Sequence, residues 1–127
     1  MKTILVDAVN TFIIKGGEIF EEMHELLEGF ENRKIILTNA DDGQMQKFGL
    51  DKVPYEVFTL KHDPDKPDPQ YYKTMLEHFN LSAADVVYFE HNRDAVESAC
   101  SVGIKTHYYD PEKKDLKALE SFLRENL

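Results

Sequence analysis

A single cysteine, Cys100, is all the thiol chemistry that this chain of 127 residues carries. One cysteine cannot close an internal disulfide, and no cysteine–histidine cluster has the spacing of a zinc site. Nothing therefore calls for an oxidising compartment or a structural metal, and a reducing cytoplasm is the expected location. Cationic side chains are scarce: 15 Lys and Arg oppose 24 Asp and Glu, a formal net charge of −9. No local basic patch offsets that excess, and such a surface repels phosphate backbones and anionic membranes, so the expected partners include no nucleic acid and no membrane. Long apolar runs are missing as well. Only Thr3 to Val6 lean apolar before Asp7 interrupts them, whereas a signal peptide needs about 7–15 apolar residues and a membrane span about 20. Neither is expected. The chain also lacks internal repeats, low-complexity stretches and linkers, which predicts one domain over residues 1–127.

What is present reads as an alternating pattern of strands and helices. Ile4-Leu5-Val6, Ile35-Ile36-Leu37, Val57 to Leu60, Val86 to Phe89 and Lys105 to Tyr108 are short and rich in β-branched or aromatic residues, which predicts five strands. Apolar residues recur at Ile19, Phe20, Met23, Leu26, Leu27 and Phe30, the spacing of a helix over Glu18 to Phe30. Further helices are expected over Asp42 to Phe48, Pro69 to Phe79, Asp94 to Val102 and Asp115 to Leu127. Pro69 suits a first helical turn, and Gly49 and Gly103 suit the ends of helices. Cys100 falls on an apolar helical face with Val96, Ala99 and Val102, which predicts an inert packed thiol. The repeated β-α order implies a three-layer, Rossmann-like α/β fold: a five-stranded, mainly parallel sheet with helices on both faces. In such a fold a site forms at the carboxyl ends of the strands.

Those strand ends carry chemistry. Asp7 ends the first apolar strand, where an unpartnered carboxylate is costly to desolvate. The second strand ends in Thr38 and Asn39, a hydroxyl and an amide placed where a following helix offers free backbone N–H groups to an anion. The third is followed by His62-Asp-Pro-Asp-Lys66-Pro67-Asp68-Pro69, a rigid turn that presents Lys66 just before a helix. The fourth ends in Glu90-His91-Asn92-Arg93-Asp94, whose carboxylates suit a hard cation, while His91 reads as a loop histidine.

Taken in order, these motifs resemble the haloacid dehalogenase-like (HAD) hydrolase superfamily, whose members are mostly phosphatases that work through an aspartyl-phosphate. Asp7 and Thr11 match its first motif, Thr38-Asn39 the second, Lys66-Pro67-Asp68-Pro69 the third, and Val86 to Ile104 the fourth with its trailing helix. The resemblance implies Asp7 and Lys66 as catalytic residues and Thr38, Asn39 and Thr11 as substrate contacts. It implies Mg²⁺ as cofactor, held by Asp7, the backbone carbonyl of Val9, Glu90 and Asp94. The short separations between Asp7, Thr38 and Lys66 leave no room for the cap domain that many relatives carry. An open site follows, suited to a macromolecular or bulky phosphorylated ligand, or to an oligomer in which a neighbouring subunit closes it.

Two departures bear on activity. Val9 stands where the family's phosphatases carry a second aspartate, and general acid–base help of that kind is typically worth about 10²–10⁴-fold. Glu90-His91 replaces the usual aspartate pair of the fourth motif. The expected function is a phosphatase-type hydrolase of weak or impaired activity. The alternative is a catalytically silent module that binds a phosphorylated or protein partner. True dehalogenation tolerates Val9 but in this family needs the absent cap. A response-regulator receiver has similar length and acidity, but its Lys-Pro follows the fifth strand, whereas here it follows the third.

Overall fold

The computed structural model describes residues 1–127. In chain order it contains β1 (Thr3–Asp7), β2 (Ile13–Ile14), β3 (Glu18–Ile19), α1 (Glu21–Glu28), β4 (Lys34–Thr38), α2 (Asp42–Lys47), β5 (Glu56–Thr59), α3 (Pro69–Phe79), β6 (Val86–Glu90), α4 (Arg93–Ser101), β7 (Lys105–Tyr108) and α5 (Leu116–Asn126). Five strands form one sheet in the order β5-β4-β1-β6-β7, and every neighbouring pair runs parallel. The expected α/β architecture is the observed one.

Side chains alternate between the faces of a strand, so each central strand feeds two cores. Ile4, Val6, Ile36, Val87 and Phe89 face one side and pack with Met23 and Leu27 of α1 and Leu119 and Leu123 of α5. Leu5, Ile35, Leu37, Val86 and Tyr88 face the other, against Tyr71, Tyr72 and Met75 of α3 and Ala99 of α4. Both faces are covered, which is why these strands read as continuous apolar runs in place of an alternating pattern. No helix is long and apolar enough to cross a membrane.

Local chemistry sets the element ends. α3 starts where expected, with Pro69 in its first turn and the Asp68 carboxylate accepting from the Gln70 N–H. Beyond α2, Gly49 holds φ +69°, and a Cβ there would lie 2.8 Å from the Gly17 carbonyl oxygen, so only glycine fits the turn.

Two expectations need correction. The helix predicted from Glu18 begins at Glu21, because Glu18 and Ile19 pair with Ile14 and Ile13 in the antiparallel β2-β3 hairpin. Cys100 is exposed: α4 turns Ala95, Ser98 and Ala99 inward, and the next position rotates into solvent.

Candidate functional site

β1, β4 and β6 are neighbours at the centre of the sheet, so their carboxyl ends bring Asp7, Thr38 and Glu90 together across the chain. The turn after β5 adds Lys66. Asp7 and Glu90 are each only 1% exposed and Lys66 6%, an arrangement that is stable only if the charges answer one another. They do. Lys66 Nζ donates to Asp7 Oδ1 at 2.6 Å, to Glu90 Oε1 at 2.8 Å and to the Leu37 carbonyl at 3.0 Å. All three ammonium protons are placed.

The carboxylates are held just as fully. Asp7 Oδ2 accepts from Thr11 Oγ1 at 2.6 Å, from the His91 N–H at 3.2 Å and from His91 Nδ1. Asp7 Oδ1 accepts from Lys66 alone, so it keeps a lone pair for chemistry. Glu90 Oε1 accepts from Lys66 and from the Tyr88 hydroxyl, and Tyr72 sits 3.2 Å behind that hydroxyl. Glu90 Oε2 accepts from the Asn92 N–H at 2.9 Å and lies 3.2 Å from His91 Nδ1.

Charge states follow from these contacts. Burial alone would raise the Asp7 pKa, but the Lys66 ammonium and the His91 hydrogen bond outweigh it and hold the carboxyl well below its usual range. Burial acts to lower that of Lys66, and Asp7 and Glu90 reverse this and push it well above the ordinary value. Hydrogen bonds to Asp7 and Glu90 raise the His91 pKa to about 10.

A pocket of about 160 Å³ opens over this cluster, lined by Asp7, Val9, Thr38, Asn39, Lys66 and His91 and walled by Ala40, Gln44, Phe48 and His62. Thr38 Oγ1 accepts from the Ala40 N–H at 3.2 Å and keeps its own proton to donate, while Asn39 Oδ1 accepts from the Lys66 N–H at 2.8 Å and leaves the amide NH₂ for a ligand. The expected cradle of free helix N–H groups is narrower than predicted. Asp41 and Gln44 form a reciprocal capping box at the start of α2, so the N–H groups of Asp41 and Gln44 are already taken.

Not every expected residue joins the pocket. Thr11 is buried and donates to Asp7, so it positions the carboxylate and does not line the cavity. Asp94 is exposed in the first turn of α4 and lies outside the cluster that could hold a metal, which consists of Asp7, Glu90 and His91. The chain between Glu90 and Asp94 is not yet helical, since Asn92 caps the helix and Arg93 begins it, so Asp94 is carried away from Glu90. His91, read as a loop histidine, is instead half-buried against both carboxylates.

That cluster brings its ligand atoms within 4.8 Å of one another, yet it does not fit Mg²⁺ as arranged. Magnesium demands near-octahedral oxygen ligands at about 2.0–2.1 Å. Here Asp7 Oδ2 and Glu90 Oε1 each already accept two or more hydrogen bonds, and the two oxygens with a lone pair left are covered by cationic or ring nitrogens, Asp7 Oδ1 by Lys66 Nζ and Glu90 Oε2 by His91 Nδ1.

No protein-family model and no curated sequence matches the chain; solved structures do. A HAD-family enzyme from Bacteroides thetaiotaomicron, solved as an aspartate-to-alanine mutant with magnesium and inorganic phosphate, superposes with a TM-score of 0.68 at 12% identity, covering 94% of this chain and 98% of that one. The D,D-heptose 1,7-bisphosphate phosphatase of B. bronchiseptica, complexed with magnesium and phosphate, covers 100% of both chains at TM-score 0.68 and 16% identity. A HAD-superfamily hydrolase of subfamily IA from Geobacter sulfurreducens is 22% identical at TM-score 0.56, over 72% of this chain and 46% of its own. The chain has the HAD-like hydrolase fold that its motifs predict.

Proposed function

We propose that this protein is a phosphatase-type hydrolase of low turnover in which Asp7 is the nucleophile. The observation that carries the reading is the buried, ionised Asp7 at the floor of the pocket with Lys66 against its Oδ1. In the proposed reaction Oδ1 attacks phosphorus, the bond from phosphorus to the leaving oxygen breaks, and an acyl phosphate forms on Asp7. Lys66, the Thr38 hydroxyl and the Asn39 amide hold the phosphoryl oxygens. Water then cleaves the acyl phosphate and returns the carboxylate and inorganic phosphate.

Two features keep the rate low. Val9 lines the pocket where a proton donor would serve the leaving oxygen, and it has no proton to give. Asp7 is also a carboxylate of depressed basicity, and weak bases are weak nucleophiles. A pocket of about 160 Å³ is smaller than the roughly 300–1,000 Å³ of sites that enclose whole ligands. It suits a phosphoryl head group whose bulk stays outside, which favours a large or macromolecular phosphorylated substrate. Val9 also favours a second reading, a module that binds the phosphorylated group without turning it over.

Hydrolysis of an activated aryl phosphate separates the two, because its leaving group needs little protonation. Slow turnover that disappears in Asp7→Asn is the expected result. Activity that survives this change removes Asp7 from the reaction.

A further inference from the structure

Two buried carboxylates side by side need positive charge between them. In this site the pair is bridged twice. Lys66 Nζ spans Asp7 Oδ1 and Glu90 Oε1 at 2.6 and 2.8 Å. On the other side His91 Nδ1 is bonded to Asp7 Oδ2 and lies 3.2 Å from Glu90 Oε2. We propose that the His91 ring, set between the carboxylates of Asp7 and Glu90, takes the place that a divalent metal would need, so that the site works without one.

The contacts support the assignment. Lys66 Nζ fills the space between Asp7 Oδ1 and Glu90 Oε1, and the His91 ring fills that between Asp7 Oδ2 and Glu90 Oε2. A divalent cation added to the pair would stand beside the Lys66 ammonium. It would also have to break the His91 contacts and draw Glu90 away from the Tyr88 hydroxyl and the Asn92 N–H. The backbone reinforces the arrangement, since the His91 N–H itself donates to Asp7 Oδ2 and fixes the residue over the carboxylate. The polar chain from Tyr72 through Tyr88 to Glu90 holds the second carboxylate in place from behind.

The same geometry yields a gain of function. Replacing the ring by a carboxylate vacates the space between Asp7 and Glu90 and adds a hard oxygen ligand of the kind that Mg²⁺ takes. The assignment does not need Asp7 to turn over, so it is tested by binding. The melting temperature of the wild-type protein, His91→Asp and His91→Gln is measured in chelator and across millimolar Mg²⁺, with Mn²⁺ and Zn²⁺ alongside. The wild type is expected to show no saturable shift. His91→Asp is expected to melt lower than the wild type in chelator and to rise by several degrees with Mg²⁺, because a ligand bound only to the folded state stabilises it. Should His91→Asp fail to fold without metal, folding restored by Mg²⁺ supports the proposal equally. His91→Gln keeps a hydrogen-bond donor but loses the ring that spans both carboxylates, so it should melt below the wild type in chelator.

A saturable shift of the wild type by any of the three metals, lost in Glu90→Gln, overturns the proposal. So does a His91→Gln variant that melts with the wild type. A shift equal in the wild type and in Glu90→Gln arises elsewhere on this acidic surface and agrees with it. An absence of aryl phosphate hydrolysis under every condition would overturn the phosphatase reading and leave these thermal measurements intact.

Discussion

Removing Lys66 from between its two carboxylates should be among the most damaging single changes in the fold. Lys66→Met keeps most of the apolar stem of the side chain but removes the ammonium from between Asp7 and Glu90, each 1% exposed. Breaking a buried ion pair by deleting one partner costs about 3–5 kcal/mol, most of it the charge left unpaired. An unfolding entropy of about 2.1 cal/mol/K per residue gives roughly 0.27 kcal/mol/K for a chain of this length, so the midpoint should fall by about 11–19 °C. Thermal and urea unfolding of the folded variant measure the loss. Lys66→Met combined with Glu90→Gln removes the surplus negative charge together with its partner, and it should melt above Lys66→Met alone. That coupling is the diagnostic feature, because neighbouring charges in one network are not additive. A loss below about 1 kcal/mol, the range of exposed pairs, or strictly additive losses in the double variant, would refute the buried network.

Two further outcomes follow from neighbouring features. Val9→Asp should speed hydrolysis of unactivated alkyl phosphates by up to about 10²–10⁴-fold, and aryl phosphates less, since their leaving groups need less help; equal, negligible rates before and after would favour the binding-module reading. Burial against Phe122 holds the His107 pKa below its ordinary 6.5 despite the opposing pull of Asp115. The unfolded chain therefore takes up that proton more readily, and stability should fall as pH drops below about 6.5. His107→Gln should flatten this part of the profile when urea midpoints are compared across pH.

Much of this could be read in the residues, and what escaped did so for physical reasons. Runs such as Ile35-Ile36-Leu37 marked the strands because both sheet faces are covered, and Lys66-Pro67-Asp68-Pro69 marked the start of α3 because proline and a capping aspartate act locally. Glu18 and Ile19 satisfied a helical spacing equally well, and only pairing with β2 decides against it. Periodicity located the apolar stripe of α4 but left its phase loose by one position, enough to turn Cys100 outward. The resemblance to the fourth motif put Asp94 with Glu90, but the chain between them is extended at the Asn92 cap, and Asp94 is exposed in the first turn of α4. The contact between Asp7 and His91 joins residues 84 positions apart in sequence and exists only because β6 pairs with β1. The Glu90-His91 pair was visible as a departure from the family pattern, yet the placement of the His91 ring between two carboxylates needed the geometry.

The claim on which the account rests is that Asp7 accepts a phosphoryl group. It is tested most directly by acid-quenching the protein within seconds of mixing with an activated aryl phosphate and measuring its intact mass, followed by peptide mapping. The account predicts a fraction of the wild-type protein heavier by one phosphoryl group, with the modification on the peptide containing Asp7, labile at alkaline pH and absent in Asp7→Asn. Turnover without any such adduct, or an adduct that persists in Asp7→Asn, would contradict it.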